Sequence, residues 1–190
     1  VAANGTTLYV ADGPGGFVVV DASNKSAPAI TATLATAGAP QHVEYDSKTQ
    51  VAYVAAGAGG LLAIDVSDPA SPTLLDVFDT PGSAVQVSLA GDFAYVADWN
   101  DARVFDISDP SNIRMISAEW IPPQILGNRP QTFTRVLGIG AIGDFAFLGE
   151  WKEVYVYEVH KDRIAPDIKL ANDEVDLGTD TEPLSRVIVI

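Results

Sequence analysis

The chain has 190 residues, with 25 acidic and 11 basic side chains, a formal net charge of −14 and 47% apolar residues. So acidic a chain lacks the clustered Lys and Arg that nucleic acid or an anionic bilayer needs, so neither is expected as a partner. There is no cysteine, which excludes disulfides, thiol nucleophiles and Cys-ligated zinc. No apolar run approaches the ~20 residues of a membrane-spanning helix, so no membrane insertion is expected. The chain opens on Val1 without a basic stretch or a signal-type apolar run. Either a leader has been removed or the chain is a piece of something longer.

In chain order, four related segments stand out: Leu8–Pro28, Ala52–Pro72, Ala94–Asn112 and Ala146–Asp162. Each begins at an aromatic anchor: Tyr9, Tyr53, Tyr95 or Phe147. Their spacing matches the period of about 40–50 residues typical of propeller blades, with an insertion before the last. Each unit reads as four short strands. In the third, Val85–Leu89, Phe93–Ala97, Arg103–Ile107 and Arg114–Trp120 are rich in β-branched and aromatic residues, and Gly, Pro, Asp and Asn punctuate them. No stretch sustains a helical apolar period, so almost no helix is expected.

The turn DVSDP at Asp65–Pro69 returns as DISDP at Asp106–Pro110 and, diverged, at Asp21. A carboxylate here could be catalytic or bind calcium. It is read instead as a turn cap, because Asp accepts from nearby backbone amides and Pro presets φ. A residue present once per blade serves the blade. The pattern AYVA-x-GG-L followed by DVSDP and a further Pro resembles the LVIVD-type β-propeller repeat of bacterial secreted and surface proteins. The resemblance covers about 1–167 and fades in the last copy, where EVHKD replaces the turn. It implies an all-β propeller of four-stranded antiparallel blades in an extracytoplasmic protein, with no catalytic motif to carry over.

Blades are expected near 1–35, 36–79, 80–120 and 121–167, as part of a larger ring. Residues 168–190 change character. VDLGT…SRVIVI is similar to the opening of a choice-of-anchor-type immunoglobulin-like domain. Val187–Ile190, an apolar edge strand, needs cover. Three covers are open: further sequence, the missing inner strand of blade 1, or another chain.

Candidate binding residues gather on the face carrying the loops between the second and third strands and the loops leading into each blade. They are Trp99, Trp151 and Trp120, with Asn128, Arg129 and Arg135 from the insertion. Trp and Arg are enriched at binding hot spots. The same tryptophans could instead seal the gaps between blades. Calcium is a candidate at Asp98, Asn100 and Asp101, since acidic loops offer hard oxygen ligands, although the spacing lacks the pattern of an EF-hand. No other cofactor is expected. His42 and Glu44 fall on an inner strand facing the channel, and His160 sits at a strand end. Neither histidine has metal-ligand spacing, and no nucleophile, Walker or HExxH motif is present. Catalytic residues are therefore assigned to none. The expectation is a non-catalytic binding or scaffold module contacting a protein or glycan. Two alternatives stand: a hydrolase or lyase with a site at the channel mouth near His42, Glu44 and Arg135, and an assembly subunit that donates its C-terminal strand.

Overall fold

The computed structural model describes residues 1–99, 101–120, 125–126, 129–130, 135–143, 145–149, 154–158 and 185–187. Its architecture is the expected one. Four four-stranded sheets follow one another along the chain. Blade 1 holds β1 (Ala2–Asn4), β2 (Thr7–Ala11), β3 (Phe17–Asp21) and β4 (Ala29–Leu34). Blade 2 holds β5 (His42–Asp46), β6 (Val51–Ala55), β7 (Leu61–Asp65) and β8 (Thr73–Phe78). Blade 3 holds β9 (Gln86–Ala90), β10 (Phe93–Asp98), β11 (Asp101–Asp106) and β12 (Arg114–Trp120). A two-stranded ribbon, β13 (Ile125–Leu126) and β14 (Arg129–Pro130), lies in the insertion. Blade 4 holds β15 (Gly138–Ile142), β16 (Phe145–Gly149), β17 (Val154–Glu158) and β18 (Ser185–Val187). Among the described residues the only helical turn is a 3₁₀ turn at Gly13–Gly15.

The turns explain why the strands end where they do. Asp21, Asp65 and Asp106 each accept from the amide two residues on: Ser23 at 2.8 Å, Ser67 at 2.8 Å and Ser108 at 3.0 Å. Asn24, Asp68 and Asp109 repeat the device three residues later, accepting from Ser26, Ala70 and Ser111. The third strand thus ends in two successive side-chain-capped turns and returns antiparallel as the fourth. Blades 1 to 3 share a register shift that leaves one outer-strand residue unpaired, opposite the third-strand steps Val19 to Val20, Ala63 to Ile64 and Val104 to Phe105. A bulge bends each edge strand, which blunts it against further pairing.

In blade 4 the sequence EVHKD stands in place of the Asp-Pro turn, and the fourth strand arrives differently. Ser185–Val187 run parallel to Val154–Val156. A parallel pair needs a long crossover rather than a tight turn, and the chain between Glu158 and Ser185 is long enough to supply one. Of the apolar stretch Val187–Ile190, Val187 is described and pairs with Val156 of β17, and the other three residues lie outside the described residues.

The core lies between blades, one layer per gap. Tyr9, Phe17 and Val19 of blade 1 pack on Val43, Val54, Leu62 and Ile64 of blade 2. Tyr53, Leu61 and Ala63 of blade 2 pack on Val87, Val96 and Phe105 of blade 3. Tyr95 and Val104 of blade 3 pack on Val136, Ile139 and Leu148 of blade 4. Strand alternation gives each blade a forward face carrying the aromatic anchor and a rear face that is aliphatic in blades 1 and 2 and includes Asp98 and Arg103 in blade 3. The first strands of successive blades are neighbours and line the centre of the arc.

Candidate functional site

The register makes positions in different blades comparable. Ala11 pairs with Phe17, Ala55 with Leu61, and Ala97 with Ala102. The second residue after each of these alanines is Gly13, Gly57 or Trp99. All three have positive φ, at 53°, 61° and 63°. Glycine adopts this conformation without steric cost. A bulky aromatic residue there is an outlier and costs of order 1–3 kcal/mol. Trp99 therefore occupies a glycine position under strain.

The loop tip is tied to the next blade. Gly13 N–H donates to Pro40 O at 2.9 Å, and Gly57 exchanges both backbone bonds with Ala84. In the same way Val136 N–H donates to Trp99 O at 2.9 Å. The residue before this contact is Ala39, Ser83 or Arg135. A Cβ added to Gly57 would stand 3.7 Å from Ser83 Oγ. In the next gap both small residues are replaced by large ones, and the Arg135 guanidinium stacks 4.5 Å over the Trp99 ring. Both side chains remain partly exposed. Trp99 thus bridges blades 3 and 4 and still offers surface on the loop face. A cation over an indole contributes roughly 0.5–2 kcal/mol, more when desolvated.

Beneath Trp99 lies a buried ionic cluster. Asp98 has no exposure. It accepts from Thr80 Oγ1 at 2.7 Å, Gly82 N–H at 3.1 Å and Arg103 Nε at 2.8 Å. Arg103 also donates to Asp101 Oδ2 at 2.6 Å and to Met115 Sδ at 3.2 Å. Burial raises the Asp101 carboxyl above its usual value, the Arg103 charge lowers it and the Asp98 charge raises it. Both Asp98 oxygens and Asp101 Oδ2 thus accept from protein donors, while the buried Asp101 Oδ1 has no partner among the described residues. Among the described residues no group of three His, Cys, Asp or Glu is placed to hold a metal ion. Arg103, which sequence reasoning passed over, is the centre of this cluster. The signal for it was available: it stands where the other blades carry Val18 and Leu62, and Asp98 stands where blade 2 carries Ala56.

The remaining candidates divide. Trp120 pairs with Asp101 across the sheet, which brings it to the Trp99 loop through the backbone. Arg129 pairs with Leu126 in the ribbon. Asn100, Asn128, Trp151 and His160 lie outside the described residues. His42 and Glu44 are partly buried on β5. Burial lowers the His42 imidazole and raises the Glu44 carboxyl. The His42 ring meets the Val87 backbone, and the matching Gln86 bonds both backbone groups of Ile139, at 3.1 and 3.3 Å. Ser88 Oγ likewise accepts from Ala141 N–H at 3.0 Å. These inner-strand side chains stitch one blade to the next. Of the three groups suggested for a channel-mouth enzyme, Arg135 is committed to Trp99.

Comparison with known proteins agrees with this architecture. A protein from Bacteroides uniformis ATCC 8492 described as a proposed 6-phosphogluconolactonase is similar at 12% identity and TM-score 0.67, over 80% of this chain and 48% of that one. The β-propeller domain of Cps50 (Swd1) from Myceliophteria thermophila is similar at 12% identity and TM-score 0.62, over 82% and 53%. The WD40 β-propeller domain of Doa1 is similar at 12% identity and TM-score 0.58, over 83% and 49%. At such identities the likeness is one of fold. The chain spans about half the length of these structures. No curated protein matches it. The LVIVD repeat matches residues 1–36, 50–80 and 81–118. With more than half of its length matched, this chain belongs to the LVIVD repeat family and is built as a β-propeller.

Proposed function

We propose that the chain is a non-catalytic binding or scaffold module of a secreted or cell-envelope protein, and that it contacts a protein or glycan through the loop face at Trp99 and Arg135. One observation carries the reading. Trp99 holds a left-handed backbone conformation at a position where blades 1 and 2 use glycine. Strain of this kind collects at functional sites. A partly exposed indole capped by a guanidinium presents an apolar plane beside a fixed charge, which suits a sugar face or an aromatic or acidic peptide side chain. The envelope location rests on the family resemblance.

The test is Trp99→Gly combined with Arg135→Ser, which restores the pair found at Gly57 and Ser83. Wild type is screened on a glycan array and against cell-envelope proteins, and the folded variant is then titrated with whatever binds. The expected loss is at least about tenfold in affinity, the scale of one hot-spot contact. Undiminished binding would remove the rim assignment.

A further inference from the structure

Arg103 donates to acceptors of unequal strength. Nε bonds Asp98 and Nη2 bonds Asp101, both carboxylates, while Nη1 donates to the Met115 thioether at 3.2 Å. A thioether is a weak acceptor, so this corner of the guanidinium is the least firmly held. Met115 is the one methionine of the chain. It is 41% exposed on the outer strand β12, whereas the side chains of Arg103, Asp98 and Asp101 are 9%, 0% and 16% exposed. The contact therefore joins a solvent-facing sulfur to the buried cluster.

Blades 1 and 2 carry aliphatic residues at both positions. Met115 pairs with Phe105 as Ile30 pairs with Val20 and Leu74 with Ile64. Arg103 stands where those blades carry Val18 and Leu62. Thioether and guanidinium thus enter together, in the blade whose loop tip is Trp99. There Asp98 and Asp101 are direct partners across β10 and β11. Like charges so placed repel each other. Arg103 holds them together on either side of the turn that carries Trp99.

We propose that Met115 is an oxidation site through which a peroxide loosens the Trp99 loop. Hydrogen peroxide transfers one oxygen atom to Sδ. The S–O bond forms on a sulfur lone pair as the O–O bond breaks. Sulfur gives up two electrons, and the other peroxide oxygen leaves as water with both protons. One sulfur lone pair faces Nη1, so the oxygen adds to the other and a single sulfoxide epimer predominates. The sulfoxide oxygen is polar where the thioether was not, and Nη1 turns toward it. A guanidinium is a rigid planar fork, so one nitrogen cannot turn without moving the rest. Asp98 keeps Thr80 and Gly82 as donors. The bond to Asp101 gives way first, and the turn loses one of its two ties. The effect on binding rests on the rim at Trp99 being the contact surface, as proposed above; the effect on the loop does not.

The experiment is ¹⁵N NMR and mass spectrometry of the full chain before and after dilute hydrogen peroxide. The peptide holding Met115 should gain the mass of one oxygen atom. The Trp99 indole N–H, assigned by its loss in Trp99→Phe, and the Arg103 Nε–H should both shift. One of the two epimer-specific methionine sulfoxide reductases should restore both signals, and the other should not. Met115→Leu, which copies Leu74, should keep both signals fixed under peroxide. Met115→Gln, which brings an amide oxygen to the same place, should shift them without oxidant. Oxidised wild type should bind the ligand found for Trp99 about fivefold more weakly, the scale of one net hydrogen bond. An unmodified Met115, a sulfoxide that leaves both signals in place, or an equal shift in Met115→Leu would each overturn the proposal. Shifted signals with unchanged binding would support the oxidation site and count against the rim.

Discussion

The gap between blades 1 and 2 and the gap between blades 2 and 3 solve one packing problem in two ways. In the first, Ala56 and Leu62 are apolar and fully buried. In the second, the same positions hold Asp98 and Arg103, joined at 2.8 Å. The linking threonine shows the consequence. Thr80 donates to Asp98 at 2.7 Å, whereas the buried Thr36 Oγ1 has no partner among the described residues. A buried ion pair adds little net stability over an apolar pair of similar volume, because desolvating two charges offsets their attraction. Blade 3 carries the costlier solution directly under the strained Trp99. The comparison suggests that the cluster fixes a loop and that stability is not its main product.

Four substitutions test that contrast. The largest effect should come from Arg103→Leu alone, which copies Leu62 and strands Asp98 without its counter-charge. Urea denaturation should show a loss of about 3–5 kcal/mol. A smaller loss is expected from Asp76→Ala. Asp76 Oδ2 accepts from Ile113 N–H at 2.7 Å, tying the outer strand of blade 2 to the turn of blade 3. Leaving that amide unpaired should cost about 1–3 kcal/mol in the same assay. Smaller again is the turn carboxylate Asp106. Its hydrogen bonds to Ser108, followed by Arg114, hold its pKa below the ordinary value. A lowered folded-state pKa gives stability that is present above the unfolded value and is lost as pH falls through the folded one. Thermal melts of Asp106→Asn should therefore differ from wild type at neutral pH and converge with it below the carboxylate range. The smallest effect should belong to Asp98→Ala, Asp101→Gly and Arg103→Leu together, which rewrite the second gap in the residues of the first and leave no carboxylate without its counter-charge. It should lie within about 1–2 kcal/mol of wild type or be more stable. A loss as large as that of Arg103→Leu would show that the two gaps are not equivalent.

Much of this was legible in the sequence. The aromatic anchors, the Asp-Pro turns and the blade period follow from local chemistry that acts within a few residues. Asp21, Asp65 and Asp106 cap turns because each needs only the amide two positions on. The rest depended on partners distant in the chain. Asp98 and Asp101 looked like cation ligands because acidic residues advertise charge, while Arg103, which bonds both, sat in an alternation that read as core. Phe147 read as another aromatic anchor. Whether it is covered depends on a neighbouring blade, which no local pattern states. The parallel β18 was equally hidden, since the EVHKD that stands in place of the turn does not state which later segment pairs with β17.

The bond from Asp76 to Ile113 bears on how such a chain can evolve. The blade 2 counterpart of Ile113 is Pro72, which has no N–H, and the blade 1 counterpart of Asp76 is Ala32, which has no acceptor. Acceptor and donor are present together in one gap and absent together in the other. Blades in this chain are thus addressed modules. Duplicating or exchanging one as a cassette would set Ala32 against an amide that needs an acceptor, or Asp76 against a proline that cannot donate. Their order along the chain is preserved by the joints between blades.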